Sequence, residues 1–266
     1  MKDAKTAILV TSFGTSYNDS RKAAIEALEK TIADAYPLWE VRRAFTSGMI
    51  IEKLARRDGV RIDNVAEALE RLATQGVERL YIQPTHVMNG NEYEEVAREA
   101  EAFRKRFKSI ALGSPLLTAS NDYEEVVRVL AEEYAPAPDQ ALVFMGHGTG
   151  HYADAAYAAL DYRFKARGHK NIFVGTVEGY PALEDVMGFL EEGNFRKVML
   201  APLMVVAGDH ALNDMAGDEE DSWKSVLTQK GYEVECRLKG LGEIPAIRDI
   251  YAAHLRTAIE GTDNEV

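Results

Sequence analysis

The chain has 266 residues, 46% of them hydrophobic and 9% aromatic, enough to bury a core in one large domain or two small ones. Its formal charge of −12, with no basic run, excludes a nucleic-acid surface, and a single cysteine, Cys236, excludes an internal disulfide and a cysteine zinc site. No apolar stretch approaches a membrane span, and the short apolar run in MKDAKTAILVTSFG does not read as a signal peptide, so a cytoplasmic protein without membrane contact is expected.

Taken in order, TAILVTS (Thr6 to Ser12) predicts a buried strand ending in Phe13-Gly14-Thr15-Ser16. Asn18, Asp19 or Ser20 can cap the next helix, where Ile25, Leu28 and Ile32 recur on one face before Pro37. WEVRRAF is a second strand running into Thr46-Ser47-Gly48-Met49, and the mixed segment IIEKLARRDGVRI leads to a helix from about Asp63 to Thr74. RLYIQP is the third strand, followed by THVMNGNEY and a long charged helix through Arg106. SIALG and the helix DYEEVVRVLAEEY complete the first half, and Ala135-Pro136-Ala137-Pro138 is the candidate linker. Beyond it strands fall near 141–146, 171–177, 197–202 and 232–238 with helices between them. Cys236 sits in the last of these as an ordinary buried strand residue.

Strand–helix alternation at this spacing implies right-handed βαβ units. The expected fold is α/β, with two similar doubly wound domains, each a four-stranded parallel sheet flanked by helices. The domains are residues 1–135 and 139–266, with the C-terminal helix free to pack back on the first. An internal repeat supports this. ERLYIQPTHVMNGNE and RKVMLAPLMVVAGDH align without a gap at an offset of 118, placing Pro84 on Pro202, Gly90 on Gly208 and Glu92 on His210. The first strands of the halves align at an offset of 134, placing Phe13-Gly14-Thr15 on His147-Gly148-Thr149. About sixteen extra residues therefore lie in the first half, within FTSGMIIEKLARRDGVRI. Two such halves face to face would form a cleft, with His147 and His210 opposite Phe13 and Glu92.

The chemistry concentrates in ALVFMGHGTGH, where His147 stands between glycines at the end of a buried strand, the place where open α/β sheets bind ligands. His210, in PLMVVAGDH, and Glu178, in NIFVGTVEG, end two further strands of the same half. Two imidazoles and a carboxylate suit a borderline divalent metal such as cobalt, iron, nickel or zinc. The competing reading makes them helix-capping or core histidines and a surface carboxylate. His86 lies in a strand-end loop and either meets a ligand or is satisfied locally; His151 is a supporting partner or a helix start. Asp218-Glu219-Glu220-Asp221 reads as the acidic first turn of the helix carrying Trp223, with metal collection as the alternative. Gly148-Thr149-Gly150-His151-Tyr152-Ala153 formally matches a dinucleotide fingerprint, but Glu178 lies too far on and His147 crowds the turn.

SFGTS, FTSGMII, the NGxEYE segment, FMGHG, the VE-G-YP segment and PLMVVAGDHALNDMAGDEEDSW together resemble the anaerobic cobalt chelatases of cobalamin synthesis, the sirohydrochlorin cobaltochelatases. The resemblance runs from about Ala7 to Leu255 and implies a class II chelatase, ATP-independent and ferrochelatase-like in fold. It implies that His147, Glu178 and His210 are the metal ligands, that Glu92 takes part in cobalt handling, and that Phe13 packs on the macrocycle. Gly14, Thr15 and Met49 complete the expected substrate contacts. The implied partners are Co2+, as substrate metal, and a tetrapyrrole, with no organic cofactor; a homo-oligomer is compatible with this. The substrate's carboxylates then need local cations, for which Arg42, Arg43, Lys53, Arg56 and Arg57 are candidates, a solvated helix face being the alternative. Other readings are iron or nickel insertion into the same macrocycle, a non-catalytic metal or tetrapyrrole carrier and, distantly, a dinucleotide-dependent oxidoreductase.

Overall fold

The computed structural model of the chain describes residues 4–263. Its strands are β1 (Thr6–Ser12), β2 (Glu40–Phe45), β3 (Arg79–Pro84), β4 (Ser109–Leu112), β5 (Gln140–Gly146), β6 (Ile172–Thr176), β7 (Lys197–Pro202) and β8 (Glu233–Cys236). They form two four-stranded sheets, ordered β2-β1-β3-β4 and β6-β5-β7-β8, with every neighbouring pair parallel. In each sheet the first strand lies centrally and the chain moves to one side of it, then to the other, as in doubly wound folds. The central strands β1, β3, β5 and β7 are buried almost from end to end because helices cover both faces. Of the edge strands, β2 (EVRRAF) and β8 (EVEC) carry charged residues, which discourages further strand pairing.

The chain divides into two compact units, one of residues up to Thr118 together with those from Pro245 onward, the other Ala119–Ile244. This division differs from the 135–139 boundary read at the proline-rich joint in the placement of one helix, and it sets the C-terminal helix on the first unit, as the sequence reading allowed. The helix Ser120–Tyr134 belongs to the second unit, since Arg163 on the helix Ala155–Ala166 bonds Glu124 at 2.6 Å and Ser120 at 2.8 Å. Tyr134 also meets Phe144 of β5 edge-on, with 5.2 Å between ring centroids. The helix Pro245–Asp263 belongs to the first unit. Tyr251 donates to the Thr85 carbonyl at 2.9 Å, the His254 ring to the Ser114 carbonyl at 3.1 Å, and Arg248 to the Thr31 hydroxyl at 3.1 Å. The chain thus leaves its first unit once and returns to it.

Each sheet carries its own core. In the first unit Leu9, Leu80 and Ile82 pack with Leu69 and Leu72 of the helix Val65–Thr74 and with Val96 of the helix Asn91–Ala102. In the second, Val143, Met145, Val198 and Leu200 pack with Val186, Leu190, Trp223 and Leu227. Burying a side chain of this size contributes about 1.5–3 kcal/mol. The segment with the extra residues forms the helix Gly48–Asp58, so two helices follow β2, whereas only Leu183–Glu192 lies between β6 and β7. No helix among the described residues is long and apolar enough to cross a membrane.

Candidate metal centre

β6, β5 and β7 are consecutive neighbours in the second sheet, and their registers place Gly146 beside Thr176 and Met145 beside Pro202. Three parallel strands about 4.8 Å apart therefore end level with one another. The segments that follow carry Glu178 after β6, His147 after β5 and His210 after β7. His147 and His210 straddle the point where the strand order reverses, the ligand-binding position of open α/β sheets.

The structure brings these three side chains together. One ligand atom from each of His147, Glu178 and His210 lies within 4.8 Å of the others. The two imidazoles meet edge to face, with ring centroids 4.6 Å apart and planes at 88°. Each ring uses Nδ1 for orientation: that of His147 donates to the Gly148 carbonyl at 2.8 Å, and that of His210 to the Asp214 carboxylate at 2.6 Å. That leaves Nε2 of each ring as the nitrogen free to face a ligand. Ligands about 2.1 Å from one ion at tetrahedral angles lie about 3.4 Å apart, so closing the cluster on an ion would draw its ligand atoms together by up to about 1.4 Å.

The backbone is shaped around this arrangement. The β5–β6 ladder continues past the strand ends, with Val177 N–H donating to the Gly146 carbonyl at 3.0 Å and Glu178 N–H to the His147 carbonyl at 2.9 Å. Gly148 has φ of 82°, and a Cβ there would stand 2.3 Å from the Gly179 nitrogen. Glycine is required both by the left-handed backbone and by the approach of the Glu178–Gly179 segment. His210 leads directly into the π-helical turn Ala211–Met215, which places Asp214 behind its ring. Asp214 is absent from the expectations above, although a carboxylate four residues after a ligand histidine on a helical turn is a readable signal.

The remaining expected site residues lie in the first unit, at the C-terminal ends of its strands. Phe13 follows β1 and is 50% exposed, while Met49, in the first turn of the helix Gly48–Asp58, is 77% exposed. Both are large apolar groups held out to solvent. Thr15 is buried and its hydroxyl accepts from Tyr17 N–H at 3.2 Å, and Gly14 lies against the Phe45 ring. Glu92 is half-buried in the first turn of the helix Asn91–Ala102. Its carboxylate faces His86, whose two ring nitrogens are buried without a hydrogen-bond partner. Desolvation lowers the His86 pKa to about 4 against the opposing pull of Glu92, so its imidazole is neutral.

The basic residues do not act as one patch. Arg42 pairs with Glu40, Arg43 with Glu29 and Glu26, and Arg57 with Asp58, leaving Lys53 and Arg56 on the exposed side of the Gly48–Asp58 helix. His151 is a helix-start residue, its Nδ1 accepting from Ala153 N–H at 3.2 Å. The acidic run 218–221 precedes its helix rather than forming the first turn. Ser222 is the cap, accepting from Ser225 N–H at 3.1 Å, and Asp218 pairs with Lys224. Ser222 takes the cap by position: its extended backbone (φ −62°, ψ 145°) stands directly before the first helical residue, Trp223, so the acids lie one or more residues outside the helix. Cys236 on β8 is only half-buried, and burial raises its thiol pKa.

The family model described as Cobalt chelatase (CbiK) matches residues 6–260. The chain is 45% identical over 261 residues to the sirohydrochlorin cobaltochelatase of Salmonella typhimurium, covering 96% of this chain and 97% of that one. It is 33% identical over 265 residues to sirohydrochlorin cobaltochelatase CbiKC of Nitratidesulfovibrio vulgaris, covering 98% and 93%. Among solved structures, SirB from Bacillus subtilis with Fe3+ superposes with a TM-score of 0.66 at 14% identity, covering 98% of both chains, which speaks to the fold alone.

Proposed function

The chain belongs to the cobalt chelatase (CbiK) family, and on that premise we propose that it inserts Co2+ into sirohydrochlorin, or its precorrin-2 form, in anaerobic cobalamin synthesis. The observation that carries the reading is the His147–Glu178–His210 cluster, with its ligand atoms within 4.8 Å of one another. Two imidazole nitrogens and one carboxylate form a donor set that a borderline divalent ion accepts, yet one weak enough in number to release it to four ring nitrogens. Cobalt here is substrate, held by His147, Glu178 and His210 until the macrocycle takes it.

Insertion replaces two pyrrole N–H protons by one Co2+, so two protons must leave as the ion enters. Glu178, which is exposed, and Glu92 are the proposed acceptors, with the imidazoles of His147 and His210 able to serve as the ion departs. Phe13 and Met49 offer exposed apolar surface to the ring, with Gly14 and Thr15, next to Phe13 in the chain, as further proposed substrate contacts. No step calls for a nucleotide or an organic cofactor.

The test is a steady-state assay of purified protein with sirohydrochlorin and Co2+, following the macrocycle absorbance without added nucleotide, with Fe2+ and Ni2+ in parallel. Cobalt insertion at a rate above the protein-free control supports the reading. Strict dependence on ATP or NAD(P)H, or binding of both substrates without turnover, refutes it, the latter outcome being that of a carrier. Faster turnover with iron or nickel reassigns the metal and keeps the site.

A further inference from the structure

Asp154 stands outside the metal cluster and touches none of its ligand atoms, but its carboxylate joins the two segments that carry two of them. Oδ1 accepts from Thr149 N–H at 2.9 Å, in the segment after His147, and Oδ2 accepts from Tyr180 N–H at 2.8 Å, in the segment after Glu178. The Gly179 backbone lies directly on the same carboxylate, where a Cβ would stand 2.2 Å from Oδ1. Asp154 itself closes the short 3-10 turn Tyr152–Asp154, its N–H donating to the His151 carbonyl at 3.0 Å, and starts the helix Ala155–Ala166. One side of the brace is therefore anchored to a helix whose Tyr157, Leu160 and Phe164 are buried in the core.

These contacts complete a closed loop of fixed distances. Glu178 N–H is held by the His147 carbonyl at 2.9 Å, Gly148 abuts Gly179, and the Asp154 carboxylate bridges the next residue on each side. Past the strand ends the ladder supplies two bonds between the segments. The 177–181 segment is tied back on itself by the Thr176 hydroxyl, which accepts from Gly179 N–H at 3.2 Å and donates to the Pro181 carbonyl at 3.0 Å. Asp154 is what joins this segment to the one after His147 beyond the ladder. A carboxylate accepting two backbone N–H groups is a charge-assisted clamp that a neutral side chain does not reproduce.

We infer that Asp154 is a positioning residue of the metal centre, which sets the separation of His147 and Glu178 by clamping the segments that follow β5 and β6. The inference rests on the proposal that these two residues ligate cobalt, while the clamp itself is testable without metal. Ligand-orienting partners of this kind typically govern 10–100-fold in metal affinity.

The experiment compares wild type, Asp154→Ala, Asp154→Asn and, as a remote control, Asn64→Ala, which removes the cap of the helix Val65–Thr74 in the first unit. Amide hydrogen exchange of the metal-free proteins reads the clamp, and Co2+ titration followed by visible absorption reads affinity and ligand geometry. Asp154→Ala is expected to speed exchange across 147–151 and 177–181, to weaken Co2+ binding about 10–100-fold and to alter the cobalt spectrum. Asp154→Asn, with one acceptor oxygen for two N–H groups, should fall between. Asn64→Ala should lower thermal stability with cobalt affinity unchanged. Wild-type exchange in those segments, or wild-type affinity and spectrum, in both Asp154 variants overturns the inference. Failure of wild-type protein to bind Co2+, with exchange raised as expected, refutes the chelatase reading instead and leaves the clamp standing.

Discussion

Replacement of His86 tests how the first unit handles a buried imidazole beside a carboxylate. The residue as a whole is part-exposed, but its charge would sit on two ring nitrogens that are both buried and unbonded, so desolvation decides its titration. Lowering the pKa from 6.5 to about 4 corresponds to about 3 kcal/mol, at about 1.4 kcal/mol for each tenfold change in proton affinity. The folded protein binds this proton more weakly than the unfolded chain. Stability from His86 is therefore present in full above about pH 6.5 and is lost as the pH falls to about 4, with a slope of up to about 1.4 kcal/mol per pH unit. Glu92 opposes the desolvation, so Glu92→Ala should push the His86 pKa lower still. His86→Leu removes the titration and the two orphaned nitrogens while keeping most of the volume. Urea unfolding of metal-free protein from pH 4 to 8 should show wild type losing about 2–3 kcal/mol more than His86→Leu on acidification. Imidazole NMR, with the His86 signal identified by its absence in the variant, reads the pKa directly. Parallel stability curves, or a His86 pKa near 6.5, would show that solvent reaches the ring and would refute the reasoning.

Other outcomes follow from the same structure. His147→Ala and His210→Ala should leave circular dichroism unchanged and weaken Co2+ binding by more than the 10–100-fold typical of losing an outer partner, as read by calorimetric titration; collapse of the fold in both would make them core residues. Glu92→Ala should lower turnover roughly tenfold or more while costing no more stability than the about 0.3–1 kcal/mol of an acid in a first helical turn; unchanged rates with cobalt and iron would reduce it to a helix-end charge. Gly148→Ala should cost at least about 1–2 kcal/mol from its left-handed backbone and weaken cobalt binding as well, because the new Cβ pushes on the Glu178–Gly179 segment; wild-type melting and affinity would contradict that.

Much of the architecture was legible in the chain because it rests on local pattern. Strands buried on both faces read as continuous apolar runs, so TAILVTS and ALVFM declared themselves, and the internal repeat made the two sheets comparable. The candidate ligands were readable for a related reason. A histidine or glutamate just past a buried parallel strand stands at the edge where such sheets bind ligands, whatever lies elsewhere in the chain. Only the tertiary structure decided which strand ends are neighbours. The order β6-β5-β7 sets Glu178, His147 and His210 side by side, and no local periodicity encodes it. The same holds for the placement of two helices. Ser120–Tyr134 joins the second unit and Pro245–Asp263 the first through side-chain bonds to partners 39 to 217 residues away in sequence. Asp154 was hidden for that reason too: its Tyr180 partner is 26 residues distant, and a carboxylate at a helix start is locally indistinguishable from an ordinary cap until the two loops meet on it.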